Sequence, residues 1–141
     1  MQDRFKFRVW LKDTNKMYNV CSLHIGTNKA IISSKRGNVS IYINKNNILM
    51  QSTGLKDKNG KLIYKGDIVR SNEYPFMDKE QDNYYAEICW DNESGAFFYY
   101  TFKNPKFNDV CGLSTGNTGN FNEYAWEVVG NIYENPELLK E

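Results

Sequence analysis

Apolar and polar residues alternate through most of the chain. Phe5, Phe7 and Val9 alternate with Arg4, Lys6, Arg8 and Trp10, a period of two that predicts a half-buried strand. Lys12 to Lys16 is a polar turn, and apolar positions return from Met17 to Leu23, so residues 5–11 and 17–24 are expected to form a hairpin. Gly26-Thr27-Asn28 marks another turn, Ala30-Ile31-Ile32 a short apolar run, and Ser33 to Asn38 a basic loop. Val39, Ile41 and Ile43 alternate with Ser40, Tyr42 and Asn44 in a further strand, and Ile48-Leu49-Met50 leads into the middle of the chain.

The middle holds the densest turn chemistry. Asn59-Gly60 suits a two-residue type I′ turn, because both residues tolerate positive φ. Leu62-Ile63-Tyr64 follows as a strand, Lys65-Gly66-Asp67 as a second turn, and Ile68-Val69-Arg70 opens the next strand. Asp67 reads as a turn-former rather than a catalytic carboxylate. Ser71 to Asn83 is an expected exposed connection, Tyr84 to Trp90 a strand, and Asp91 to Gly95 a turn. Ala96 to Phe102 is almost continuously apolar, which predicts a strand covered on both faces or lying at an oligomer contact. Asn104 to Asn122 reads as a Gly/Asn/Thr-rich loop, and Tyr124 to Tyr133 as a last strand with Gly130 at a bulge or bend. Asn135-Pro136-Glu137 predicts a cap opening a single helical turn.

The fold class is therefore all-β, with minimal helix. Residues 1–48 are expected as an N-terminal β-hairpin lobe and 49–141 as a small twisted barrel lobe closed by the last strand, in one continuous body. Trp10, Trp90 and Trp126 are assigned to the core, because strand-borne tryptophans bury most of their large area.

Composition supports this class. Alanine is scarce (Ala30, Ala86, Ala96 and Ala125) while Tyr, Phe, Ile and Val are plentiful, which favours sheet over helical bundle. A chain of 141 residues lies within the range of one domain and can bury roughly two-thirds of its unfolded surface. No apolar run approaches the roughly 20 residues needed to cross a bilayer, and no basic-then-apolar leader opens the chain. Cys21, Cys89 and Cys111 are odd in number and widely spaced, the pattern of reduced thiols in a cytoplasmic protein.

Candidate chemistry is sparse. His24 is the single histidine, which removes His-based metal sites; it stands at a strand end with no placed partner, so a surface or cap role is expected rather than a Ser-His-Asp triad. Gly112 to Gly119 resembles a phosphate loop only superficially, since it lacks the Lys-Ser/Thr ending and no helix is expected after it. Cys111 has no basic neighbour closer than Lys106 to lower its pKa. Asp91 and Glu93 sit in a turn where solvation accounts for them. A non-catalytic protein with no cofactor and no metal is expected.

Three segments carry a resemblance. Leu49 to Asp57 with Asn59-Gly60-Lys61 and Ile63 to Val69 resembles the central motif of the YopX family of phage and prophage proteins. Phe5 to Trp10 resembles that family's N-terminal start, and Trp126 to Leu139 its C-terminal motif. The resemblance implies a small β-rich protein with an SH3-like barrel portion, found mostly in phages of low-GC Gram-positive hosts, and so located in the host cytoplasm. It brings no catalytic residues with it.

Charge supplies the functional hypotheses. Net charge is +1, yet residues 1–50 hold nine Lys or Arg against two carboxylates, a balance of +7, and residues 51–141 hold nine against fifteen, a balance of −6. Lys29, Lys35, Arg36 and Lys45, with Arg4, Lys6 and Arg8, are candidates for a nucleic-acid surface carrying Tyr42 and Trp10 as stacking platforms. Phe97, Phe98 and Tyr99 are candidates for protein contact, and the charge split favours self-association or a protein partner. Protein contact or self-assembly is the leading expectation, nucleic acid the alternative, and a membrane partner is not expected.

Overall fold

The alternating segments fold as strands. The computed structural model describes residues 2–71, 84–102, 110–112 and 126–139. Its strands are β1 (Phe7–Leu11), β2 (Lys16–His24), β3 (Lys29–Ser34), β4 (Gly37–Tyr42), β5 (Asn47–Lys56), β6 (Leu62–Tyr64), β7 (Asp67–Ser71), β8 (Tyr84–Asp91), β9 (Ala96–Phe102), β10 (Val110–Gly112) and β11 (Glu127–Asn131). Among the described residues helix is confined to 3-10 turns at Gln2–Phe5, Ile25–Thr27 and Pro136–Leu139, and none is long and apolar enough to cross a membrane. The fold is all-β.

All pairings are antiparallel and build two sheets, of order β4-β3-β2-β1-β5-β6 and β10-β9-β8-β7-β11. The β1–β2 hairpin forms with Leu11 opposite Lys16. β5 serves two neighbours: its first half pairs with β1, Leu11 opposite Asn47, and its second half with β6. Between them the register shifts from Ser52 to Lys56, and Gly54 takes φ +81° there, the left-handed region open to glycine. The expected lobe boundary after residue 48 thus falls inside β5.

The main hydrophobic cluster joins Ile63 of β6 to Val69, Tyr84, Ala86, Ile88 and Tyr99 of the second sheet, with Trp126 and the half-buried Leu55 and Val128. Tyr99 and Trp126 lie with ring centroids 5.6 Å apart. On β8 the buried positions Tyr84, Ala86 and Ile88 alternate with half-buried Tyr85, Glu87 and Cys89, the period-two signature of a strand with one face inward.

Several expectations change. Phe5 is not part of the first strand: it ends a 3-10 turn and is 60% exposed. Arg8, Val9 and Trp10 are all buried, so β1 is covered on both faces rather than one. Trp10 and Trp126 are core residues as expected, but Trp90 is 38% exposed: it lies at the turn end of β8, where its ring packs on Phe97, centroids 4.8 Å apart, and its indole N–H donates to Asn92 Oδ1 at 3.0 Å.

The Asn59-Gly60 turn is not type I′. Only Gly60 has positive φ, at +82°, and its N–H donates to Asp57 O at 3.0 Å. The turn is therefore the three-residue kind that ends in a left-handed glycine. The stretch expected as loop from Asn104 to Asn122 contains β10, which pairs with the aromatic strand β9, Cys111 opposite Tyr99. Residues 72–83 of the expected connection, and 103–109 and 113–125, including Leu113 to Gly119 of the phosphate-loop-like run, lie outside the described residues. Gly130 does mark a bulge, where the β7–β11 register shifts between Val128 and Gly130.

Candidate functional site

Lys35 and Arg36 form the tip of the β3–β4 hairpin, a turn closed by opposite residues Ser34 and Gly37. Ser34 shapes it: its hydroxyl donates to Gly37 O at 2.8 Å and accepts the Arg36 N–H at 3.3 Å. Gly37 takes φ +112°, which lets two long cations stand at the end of the hairpin. Beside them runs a groove of about 640 Å³ lined by Asn15, Lys16, Met17, Tyr18, Ser34, Lys35, Arg36 and Glu134. A second hollow of about 610 Å³, lined by Trp10, Asn15, Tyr133, Glu134, Pro136 and Glu137, shares Asn15 and Glu134 with it. Three cations thus gather against one carboxylate in the groove, and among the described residues no ion pair engages Lys16, Lys35, Arg36 or Lys45.

The four basic candidates do not form one patch. Lys29 sits at the far end of β3 from the hairpin tip, opposite Tyr42, with its Nζ 5.1 Å from the Tyr42 ring centroid, a cation–π contact at an exposed site. Lys45 is exposed in the turn between β4 and β5. Lys6 is engaged by Asp3 at 2.9 Å, which lowers the Asp3 carboxyl and raises the Lys6 ammonium through their hydrogen bond.

Arg8 is removed from any basic surface altogether. Its Nη2 lies 2.6 Å from Asp67 Oδ1, with both side chains buried, and reaches Lys65 O at 3.3 Å. The guanidinium also stands over the Tyr64 ring, 4.6 Å from its centroid. Asp67 does shape its turn, accepting the Tyr64 N–H at 2.8 Å, but it is a buried ion-pair partner as well. Burial pushes its carboxyl up, against the opposing pull of Arg8 and the Tyr64 amide.

Burial acts on other ionisable groups as well. Burial raises Glu87, Tyr64 and Tyr133 and pushes the Cys89 thiol up to about 12. A thiol held protonated is a poor nucleophile. His24 is exposed at the end of β2. Asp91 accepts the Glu93 N–H at 3.0 Å and the Ser94 hydroxyl at 2.7 Å, the behaviour of a solvated turn. Among the described residues no group of His, Cys, Asp and Glu gathers as for a metal ion.

Of the aromatic candidates, Tyr99 is fully buried in the main cluster, while Phe97 and Phe98 are half-buried. They point to opposite faces of β9, since Phe97 stands opposite Trp90 and Phe98 opposite Cys89. At this end of the second sheet the exposed aromatic is Trp90, packed on half-buried Phe97.

Among the residues whose burial is described, the most exposed strand is β4. Every residue from Gly37 to Tyr42 is exposed except half-buried Ile41, and β4 is the outer strand of its sheet. Sequence reasoning named neither β4 as an edge nor Lys16 as a groove residue. A signal was present in the absence of any charge between Gly37 and Asn44, but edge position follows from long-range pairing, which period-two alternation does not reveal.

A family model described as YopX protein matches residues 6–140. Among solved structures, the crystal structure of protein EF1440 from Enterococcus faecalis is similar, with TM-score 0.58 and 28% identity over 96% of this chain and 97% of that one. No curated protein matches this chain. With the family pattern running from the first strand to the last 3-10 turn, this chain belongs to the YopX protein family.

Proposed function

We propose that this chain is a non-catalytic phage or prophage protein of the host cytoplasm that works by protein contact. The observation that carries this reading is β4, an uncharged six-residue outer strand with Val39 44% and Tyr42 58% exposed. An open strand edge presents a row of backbone donors and acceptors ready to pair with another chain. Exposed Trp90, packed on half-buried Phe97, adds a second contact surface of the kind enriched at protein interfaces. The reading takes 49–141 as the family's SH3-like barrel portion, docked on the hairpin lobe through Arg8 and Asp67.

Nucleic acid is the second reading, favoured by Lys16, Lys35 and Arg36 around one groove. Burial of Arg8 and pairing of Lys6 remove two cations from the surface it needs. A tagged pull-down from infected host cells, with and without nuclease, tests both. A host or phage protein retained after nuclease, and lost when β4 is blocked, supports protein contact. Capture that disappears with nuclease, together with a salt-sensitive gel shift, moves the assignment to nucleic acid.

A further inference from the structure

Resting on that reading, we propose that β4 is the docking edge for an extended acidic segment of a partner protein, which adds to the first sheet as another strand.

The backbone parity of the hairpin sets which groups are free. The Ile43 N–H donates to Asn28 O at 2.7 Å, which marks a hydrogen-bonded pair in an antiparallel ladder. Such pairs alternate with non-bonded ones, so at the observed register Ala30–Ile41, Ile32–Val39 and Ser34–Gly37 are bonded inward. The N–H and C=O groups of Asn38 and Ser40, and the N–H of Tyr42, point outward. The Tyr42 carbonyl is already taken by the Asn47 amide at 2.8 Å.

This edge lacks the usual protections against strand addition, which are charge, proline, bulges and short length. Gly37 to Tyr42 contains no charge and no proline, and its register runs without a shift. At the other outer positions, β6 and β10 are three residues each, and β11 carries both a charge at Glu127 and the bulge before Gly130.

Charge selects the occupant. Lys35, Arg36 and Lys16 stand at one end of β4, Lys29 and Lys45 toward the other. Two β4 strands of separate copies, paired antiparallel about Ser40, would bring Lys35 of each copy toward Lys45 of the other. Like charges opposite one another destabilise a strand pair, so a second copy is disfavoured. A segment with carboxylates at both ends meets cations at both ends. A nucleic acid has no backbone ladder to offer the edge.

The probe is a synthetic peptide of alternating threonine and valine with paired glutamates at each end, followed by fluorescence anisotropy on the full chain. The expected result is saturable binding that weakens about tenfold or more in S40P and in the double variant K35E/R36E, and that falls with added salt. S40P removes an outward N–H while leaving every inward bond in place. Should S40P fail to fold, a peptide N-methylated at alternate amides asks the same question of the native protein, and it is expected to bind at least about tenfold more weakly.

Equal binding of a lysine-flanked peptide, or of the N-methylated peptide, overturns the proposal. So does a dimer seen by light scattering that S40P abolishes, which would make the second copy the occupant. A partner retained after nuclease by both native protein and S40P would sink this inference while leaving protein contact elsewhere on the surface standing. Loss of all protein capture would sink both.

Discussion

Arg8 and Asp67, one in the middle of β1 and the other at the head of β7, meet in a buried ion pair with Nη2 and Oδ1 2.6 Å apart. Each is further satisfied by backbone: Arg8 donates to Lys65 O, and Asp67 accepts the Tyr64 N–H. The pair fastens the first sheet to the second. Removing one partner leaves a bare buried charge, which costs about 3–5 kcal/mol, whereas replacing both with apolar groups costs far less. R8M and D67L are each expected to lose stability in that range by chemical denaturation, and the double variant to recover much of it. Additive losses would show that the contact does not couple the sheets.

Asp57 ties the central turn to the last strand. Its Oδ1 accepts the N–H of Asn59 at 2.9 Å and of Lys61 at 2.8 Å, and its Oδ2 accepts the Val128 N–H at 2.9 Å. The Lys58 N–H adds a bond to Trp126 O at 2.9 Å. D57A strands three donors, and each buried one costs about 1–3 kcal/mol. D57N is expected to be poorly tolerated too, because its amide must turn N–H groups toward either the turn or Val128. Denaturation midpoints for D57N equal to native would refute this account of the turn.

Gly130 has no side chain because Asn135 occupies the space. A Cβ at Gly130 would run into the Asn135 side chain, whose Oδ1 accepts the Asn131 N–H at 3.2 Å. Asn135 stands at the cap of the last 3-10 turn, where its carbonyl accepts the Leu138 N–H at 3.0 Å, while its side-chain Oδ1 turns back to the bulge. G130A is expected to cost about 1–3 kcal/mol by overpacking, and N135A to relieve part of that cost in the double variant. A thermal melt series of the four proteins reads the coupling directly.

Cys21 and Cys89 are expected to differ in reactivity. Cys21 is exposed, whereas Cys89 is half-buried and its thiol is pushed up to about 12, chiefly by burial. Reaction needs the thiolate. Alkylation of the native protein at pH 8, read by peptide mapping, should mark Cys21 promptly and Cys89 only after unfolding. Comparable labelling of both would contradict the environment described for Cys89.

Glu87 carries a pH dependence of definite sign. Burial raises its carboxyl above the ordinary 4.5, so the folded chain holds that proton to higher pH than the unfolded one. Its contribution is most favourable below that ordinary value and is lost as pH rises through the raised one. The stability of native protein relative to E87Q should therefore fall as pH climbs out of the carboxylate range. A difference that stays flat, or grows with pH, would show that Glu87 is not held by burial.

Much of the architecture was written locally. Alternation at Val39–Ile43 and Tyr84–Trp90, and turns at Asp91–Gly95 and Gly130, follow from side-chain periodicity and from backbone freedom at single residues, which neighbours in the chain decide. The family's motifs were legible for the same reason, since they are runs of consecutive residues. The basic hairpin tip at Lys35-Arg36 was legible as charge, though not as the rim of a groove shared with Lys16.

What lay beyond reach was the fate of similar residues in similar patterns. Arg8 and Lys6 occupy alternate places on one basic stretch, yet Arg8 is buried against Asp67 while Lys6 stays at the surface with Asp3. Trp126 is sealed and Trp90 is not. β4 is an edge, while β3 beside it is enclosed. Sequence alone determined where strands and corners fall; tertiary structure decided which faces and edges are covered, because cover comes from strands distant in the chain, whose pairing no local period encodes.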